Sequence, residues 1–363
     1  MKNGKEKSAY LSMAWRKGRL LILWGSLLLG VLVLGGCGKN NSAEGDKDTG
    51  GQSDIEKDWQ EEDNSLTQWE ASLQEGAPEE LRAEAFRGVS VVKDETACFA
   101  VSYEPRTYKN SFDCWSISVP YRSVVTVDTE AMYEYFHLFE ELKMEPADGM
   151  AREEAGIEDI SDSVFVAYYS GQTKEGGQAQ PDRGITFRFG NRDEKGNHYV
   201  EAGDKIWTAD ENAVEKLFAV NPYECILKVV SVVNLDTVSR VTVSFGDNRY
   251  EMRTDGKSFW WNEEAVDSAD FYELYTELMS IFIERELTQE EREKINAGDR
   301  ELLMQVVYER NREDAPKIVQ RYYVYDETCA SVWVNGTEFF LLSFFFPTIS
   351  VSCLYLISRL FVV

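Results

Sequence analysis

One pattern of residues occurs twice in this chain and restricts its fold more than any other feature. In the first copy, Cys114–Val119 reads as a strand carrying Trp115. It is followed by Val127-Asp128-Thr129-Glu130 and then by a helix with Met132, Phe136, Phe139 and Leu142 at helical spacing. In the second copy, Val238–Phe245, Tyr250–Arg253 and Ser258–Trp261 read as strands. They are separated by turns at Gly246-Asp247-Asn248 and Asp255-Gly256. Val266-Asp267-Ser268 then leads into a helix with Phe271, Leu274, Leu278 and Ile281. Met132-Tyr133-Glu134 falls in register with Phe271-Tyr272-Glu273, and Trp115 is matched to Trp260. A tryptophan strand, a Val-Asp cap and an amphipathic helix in one order, twice, is an internal repeat. Asp128 or Thr129 is the expected helix N-cap, because a short polar side chain there accepts an otherwise unpaired backbone N–H. The expected fold class is α+β: a repeated antiparallel β-meander with one amphipathic helix packed on each sheet.

The remaining patterning fits that plan. Val89–Val92 and Ala97–Tyr103 read as strands before the first helix. Between the copies, Gly184–Gly190, Tyr199-Val200 and Lys205–Trp207 read as a meander, followed by a helix near Asp210–Phe218. After the second helix, Leu303–Tyr308 and Ile318–Tyr325 read as strands, and Asn335-Gly336 marks a hairpin of type I′. The expected organisation is a leader over 1–36, a tether over 37–82 and a first repeat over 83–160. A middle meander with its helix follows over 161–235, then a second repeat and hairpin over 236–342, and an apolar tail over 343–363.

The leader sets the compartment. Lys2, Lys5, Lys7, Arg16, Lys17 and Arg19 precede an apolar run from Leu20 to Leu34, and Leu34-Gly35-Gly36 precedes Cys37. A basic start, an apolar core and small residues at the cut mark a secretory signal. With cysteine after the cut it resembles a bacterial lipoprotein signal. That resemblance implies cleavage after Gly36 and a diacylglyceryl group on the Cys37 thiol. The apolar run, at about 15 residues, is short for an uncleaved span, which needs about 20. The expected location is the extracytoplasmic face of the cell membrane, held by the lipid on Cys37. From Gly38 to about Ser53 the composition is that of a flexible tether. About 16 such residues reach roughly 20–24 Å on average.

Composition excludes one partner class. The formal net charge is −26 over 363 residues, and removing residues 1–36 takes away more basic than acidic groups. So acidic a body is not expected to bind nucleic acid, whose phosphates require a basic surface. No calcium-loop spacing accompanies the acids.

Catalytic motifs are absent from the sequence. There is no His-Glu-x-x-His or Gly-x-Ser-x-Gly, and the two histidines, His137 and His198, have no partner at metal spacing. No Cys-x-x-Cys pair occurs, which argues against zinc and thioredoxin-like readings, and no metal and no cofactor is expected. Cys98 and Cys114 lie on neighbouring predicted strands. They form either a disulfide, which an extracytoplasmic compartment permits, or two buried free thiols. Trp260 and Trp261 are the candidate contact residues. Adjacent strand residues point to opposite faces, so one of them is free to stack on a sugar ring or a partner unless neighbouring elements cover both.

Ile185–Gly190, Val238–Trp261 and Val266-Asp267 with its helix resemble the repeat family of bacterial lipoproteins catalogued as domain of unknown function 4340. The resemblance runs from about Phe86 to Leu342. It implies no catalytic residues and an accessory role at a membrane. The chain departs from that pattern at Ser343–Val363, an almost wholly apolar tail with Pro347 inside and Arg359 as its one charge. The tail reads as a second membrane segment or as an altered gene end. The expected function is an interaction or accessory module of an envelope or transporter complex. A solute- or glycan-binding lipoprotein is the alternative, and a carboxylate-dependent envelope hydrolase a third reading.

Overall fold

The computed structural model describes residues 74–75, 82–105, 114–169, 183–296 and 300–343. The leader, Cys37 with Leu34-Gly35-Gly36, almost all of the tether and the apolar tail beyond Ser343 lie outside the described residues.

Two antiparallel sheets of nine strands each dominate the described chain. In the first, β2 (Phe86–Lys93), β3 (Thr96–Tyr103) and β4 (Trp115–Val119) form a meander. Helix α1 (Thr129–Glu141) then crosses to the opposite edge, where the short β5 (Met144–Pro146) pairs with β9 (Lys205–Ala209). The chain returns to place β6 (Ser163–Tyr168) against β2. It continues outward through β7 (Arg183–Arg192) and β8 (His198–Ala202) to β9. A two-residue strand, β1 (Gln74–Glu75), adds in parallel to the start of β7. Helix α2 (Glu211–Phe218) follows β9.

The second sheet repeats this path. β10 (Val238–Phe245), β11 (Asn248–Thr254), β12 (Phe259–Trp261) and β13 (Glu264–Val266) form the meander. Helix α3 (Ser268–Met279) crosses, and β14 (Arg285–Glu286) pairs at the far edge with β18 (Thr337–Ser343). After α4 (Gln289–Asn296), β15 (Leu302–Arg310) returns beside β10. β16 (Ile318–Val324) and β17 (Cys329–Val334) then lead outward to β18. The class is α+β, with two sheets and four α-helices among the described residues.

The repeat is therefore larger than the sequence pattern indicates. β6 fills the inner edge of β2, so segments 83–160 and 161–235 share one sheet and one hydrogen-bond ladder. The middle meander is the second half of the first repeat.

The helices carry the expected signatures. Asp128 Oδ1 accepts from Ala131 N at 3.2 Å, Asp210 Oδ1 from Ala213 N at 3.2 Å, and Asp267 Oδ1 from Ala269 N at 2.8 Å. α1 buries Met132, Phe136 and Phe139, and α3 buries Phe271, Tyr275 and Leu278, one position for one. Phe86 lies 5.2 Å from Phe136 and Phe259 lies 4.7 Å from Phe271, ring centre to ring centre. The match of Trp115 to Trp260 is corrected by one residue. Trp115 packs on α1 through Phe136, whereas on β12 it is Phe259 that reaches α3.

Each return connection packs on the sheet face opposite the crossing helix. In the first repeat, Ala155 and Ile157 are buried against β7. A Cβ on Gly190 would sit 2.2 Å from the Ala155 carbonyl oxygen, so only glycine allows this approach. In the second repeat, Leu287 and Ile295 from the return segment bury against Leu341.

The two repeats meet around Tyr121, which is fully buried. Its ring lies 5.4 Å from Phe339 and 5.5 Å from Phe340, and its hydroxyl donates to Glu286 Oε1 at 2.6 Å. The Tyr223 hydroxyl donates to the Glu284 carbonyl at 3.1 Å. The linker between the repeats adds single bridges on both sides, Val127 to Ile226 and Val229 to Phe282. Phenol, carboxylate and backbone together fix one repeat against the other.

Candidate functional site

The register separates the two tryptophans as the pleat requires. Trp261 pairs with Met252 and Trp260 with Arg253. Trp261 shares its face with Phe259, on the side of α3, and stacks nearly parallel on Tyr250 with ring centres 5.9 Å apart and an interplanar angle of 21°. Trp260 points the other way, and the Arg253 guanidinium lies 5.1 Å from its ring centre. Both tryptophans are half-buried.

Trp260 belongs to a larger arrangement that sequence reading did not assemble. On the face of the second sheet opposite α3, Arg321 stacks on Trp333 at 4.7 Å, and its Nε donates to Gln305 Oε1 at 3.0 Å. Arg300 stacks on Tyr323 at 4.1 Å, donates to Ser331 Oγ at 3.3 Å and forms an ion pair with Glu338. On the same face Arg240 donates to Glu309 Oε2 through Nη2 at 2.7 Å and through Nε at 3.0 Å. Three guanidinium–aromatic stacks thus lie on one sheet face. The signal lay in alternation: Arg253, Trp260, Arg321 and Trp333 all occupy the parity opposite the core-facing residues of their strands. It becomes visible only once strand order is known.

Cys98 and Cys114 do not form the disulfide. Tyr103 pairs with Trp115 and Val101 with Ile117, and the Cys114 carbonyl accepts from Glu104 N. Cys98 is therefore six residues along β3 from the partner of Cys114, roughly 20 Å. A disulfide requires Cα atoms within about 7 Å. Both cysteines stay in the thiol form. Partial burial pushes the Cys98 thiol up, and its Sγ donates to the Val91 carbonyl at 3.5 Å.

The histidines stay apart. Exposed His137 contacts Glu140 Oε2 at 3.1 Å, and His198 lies on β8, with Nδ1 3.3 Å from the Gly190 carbonyl. Among the described residues, no three His, Cys, Asp or Glu side chains are grouped to hold a metal ion.

A pocket of about 550 Å³ opens beside β14, lined by Arg285, Thr288, Glu290, Glu291, Lys294 and Tyr325. Glu291 is its best-connected carboxylate. It takes Arg285 Nη1 at 2.8 Å and Nη2 at 2.6 Å, Thr288 N at 2.8 Å and the Tyr325 hydroxyl at 3.1 Å. Hydrogen bonding from Arg285, above all, holds its pKa far below the ordinary carboxylate range. A carboxylate so firmly ionised cannot deliver a proton as a general acid. Thr288 Oγ1 also accepts from Glu291 N at 3.2 Å, completing a capping box at the start of α4. Thr288-Gln289-Glu290-Glu291 shows that signature in the sequence, although no helix was expected there.

Among the described residues, no helix is long and apolar enough to cross a membrane. No family model matches the chain, and neither a curated protein nor a solved structure matches it.

Proposed function

We propose that this chain is a lipid-anchored extracytoplasmic interaction module, an accessory component of an envelope or transporter complex. Its repeats belong, on this reading, to the family catalogued as domain of unknown function 4340. The observation that carries the reading is the junction at Tyr121. A fully buried phenol bonded to Glu286 and wedged between Phe339 and Phe340 couples two sheets of the same topology into one stiff body. Stiffness over two broad sheets suits a part that presents surfaces to other proteins, because little conformational freedom is lost on contact. Cys37 supplies the anchor, and the tether holds the body clear of the headgroups.

The test is cross-linking in cells followed by mass spectrometry of membrane-extracted protein, with Cys37→Ala as the unanchored control. Recurrent links to one envelope or transporter protein, lost in the control, are the expected result. Absence of any anchor-dependent protein partner refutes the reading. The stacked pair Tyr250–Trp261 supports the second reading, a glycan-binding lipoprotein, since half-exposed parallel rings suit sugar stacking. A Trp261→Ala variant that loses oligosaccharide binding is its test.

A further inference from the structure

We propose that the face of the second sheet opposite α3 binds an extended acidic polypeptide segment. The proposal rests on the interaction-module reading and gives it a surface and a partner chemistry.

The chain carries a formal −26, yet this face is locally basic. Arg240 is neutralised there by Glu309 and, at 3.6 Å, by Glu251, and Arg300 by Glu338. Arg249, Arg253 and Arg321 remain. The register places Arg249 opposite Ser244 and Arg253 opposite Arg240, on the same face as Arg321 and Trp333. None of the three has a carboxylate within ion-pair distance among the described residues. An acidic protein that collects unneutralised guanidinium groups on one face holds them against its own mean charge, which is how a surface selects an oppositely charged partner.

Geometry narrows the partner. The guanidinium group of exposed Arg253 lies over the Trp260 indole, which holds the fork in place and leaves its edge to take a carboxylate side-on. Arg321, only 7 % exposed and held by Gln305 and Trp333, lies beneath this surface, so exposed Arg249 and Arg253 are the groups that meet a ligand. The ring faces that a sugar would need are, on that side, already covered by guanidinium. This favours a polypeptide carboxylate over a glycan. Arg249 and Arg253 are four residues apart on one face of β11, about 13–14 Å. In an extended peptide, residues i and i+4 share a face and lie about 13–14 Å apart. Two carboxylates at that spacing can meet Arg249 and Arg253 together. The return segment covers this face at its β18 end, at Leu341, away from β11.

The test uses the full-length protein in detergent and a fluorescein-labelled decaglutamate peptide, with decalysine and oligogalacturonate as comparison probes. Binding is read by anisotropy at low and at physiological salt. Decaglutamate is expected to bind in a salt-sensitive manner despite the net charge of the chain. The pair Arg249→Glu and Arg253→Glu, both at exposed positions, is expected to weaken binding at least tenfold with the circular dichroism spectrum unchanged. Arg253→Lys keeps the charge but loses the planar fork, and is expected to fall between. No binding of decaglutamate by the wild type overturns the proposal. So does an affinity untouched by the double reversal, or a preference for oligogalacturonate. If cells yield an anchor-dependent partner that the double reversal still captures, the module reading stands and this surface falls. If decaglutamate binds here while cells yield no partner, the surface stands and the module reading falls.

Discussion

Replacing Tyr121 tests whether the two repeats behave as one body. The ring is fully buried, touches Phe339 and Phe340, and donates to Glu286 Oε1 at 2.6 Å. Removing the hydroxyl alone, by Tyr121→Phe, deletes a hydrogen bond to a charged acceptor, a loss of about 1.5–3 kcal/mol. Glu286 is only half-buried and water can replace the phenol, so the lower end, about 1.5 kcal/mol, is expected. Tyr121→Ala also removes the ring and leaves a cavity between the repeats, a loss of about 3–5 kcal/mol. Urea unfolding at pH 7, followed by tryptophan fluorescence and by circular dichroism, reads both. The Ala variant is expected to unfold in two resolved steps, one per repeat, because the wedge that links them is gone. A double-mutant cycle with Glu286→Gln is expected to show coupling of about 1 kcal/mol or more. Coupling below about 0.3 kcal/mol, the scatter expected of independent sites, refutes the assignment of the bond as a clamp. The pH dependence has a definite sign. Burial, aided by hydrogen bonding to Glu286, raises the phenol far above its ordinary value of 10.0. The folded state therefore holds this proton more tightly than the unfolded chain does. The associated stability is present below pH 10 and is lost as pH rises beyond it, and Tyr121→Phe abolishes that part of the loss.

Other outcomes follow from single contacts. Gly190→Ala drives a Cβ into the Ala155 carbonyl and is expected to cost about 1–3 kcal/mol in urea unfolding, whereas Gly203→Ala meets no atom within 4 Å. The two glycines separate on contact, since the turn at Gly203 adds only backbone strain from its φ of 66°. Cys98 and Cys114 are expected to alkylate fully in denaturant without reductant, whereas a two-proton mass deficit in the intact protein would restore the disulfide. Glu291 titrates below its unfolded value of 4.5, so its contribution is present above that pH and lost as pH falls through the depressed folded value. Glu291→Gln is expected to shrink the difference in urea midpoint between pH 7 and pH 3, and to speed hydrogen exchange across Gln289–Asn296.

The sequence showed what local physics determines. Asp128 and Asp267 cap helices because a short carboxylate suits the first turn, and the spacing of Phe136 and Phe139 exposed the buried face of α1. Asn335 and Gly336, both at positive φ, form the expected hairpin. Sheet membership was hidden because it depends on pairing across long stretches of chain. β6, only Ser163–Tyr168, carries no turn signal that assigns it to β2, so the first repeat was cut in half. Trp260 and Trp261 were legible as opposite-facing. Arg321 and Trp333, far from them in sequence, join Trp260 only through the order of five intervening strand contacts. The sequence left both states of Cys98 and Cys114 open for the same reason: two cysteines on neighbouring strands meet only if the register brings them level, and register cannot be read from spacing alone.

The interior position of β6 and β15 bears on how the chain is made. β2 finds its inner neighbour only when Val166 reaches Val89, and β10 only when Tyr308 reaches Val241. During synthesis each meander emerges first, and the inner edge of its first strand, β2 or β10, is open and already apolar. The second repeat then offers β15 to an open edge of the same kind as the one β6 must fill. Crossed pairing between repeats, β2 with β15, is the characteristic error open to this chain, and slow long-range closure lengthens the time in which it can occur. The order of emergence protects against it, since β6 leaves the ribosome before β10 and seals β2 before a rival strand exists.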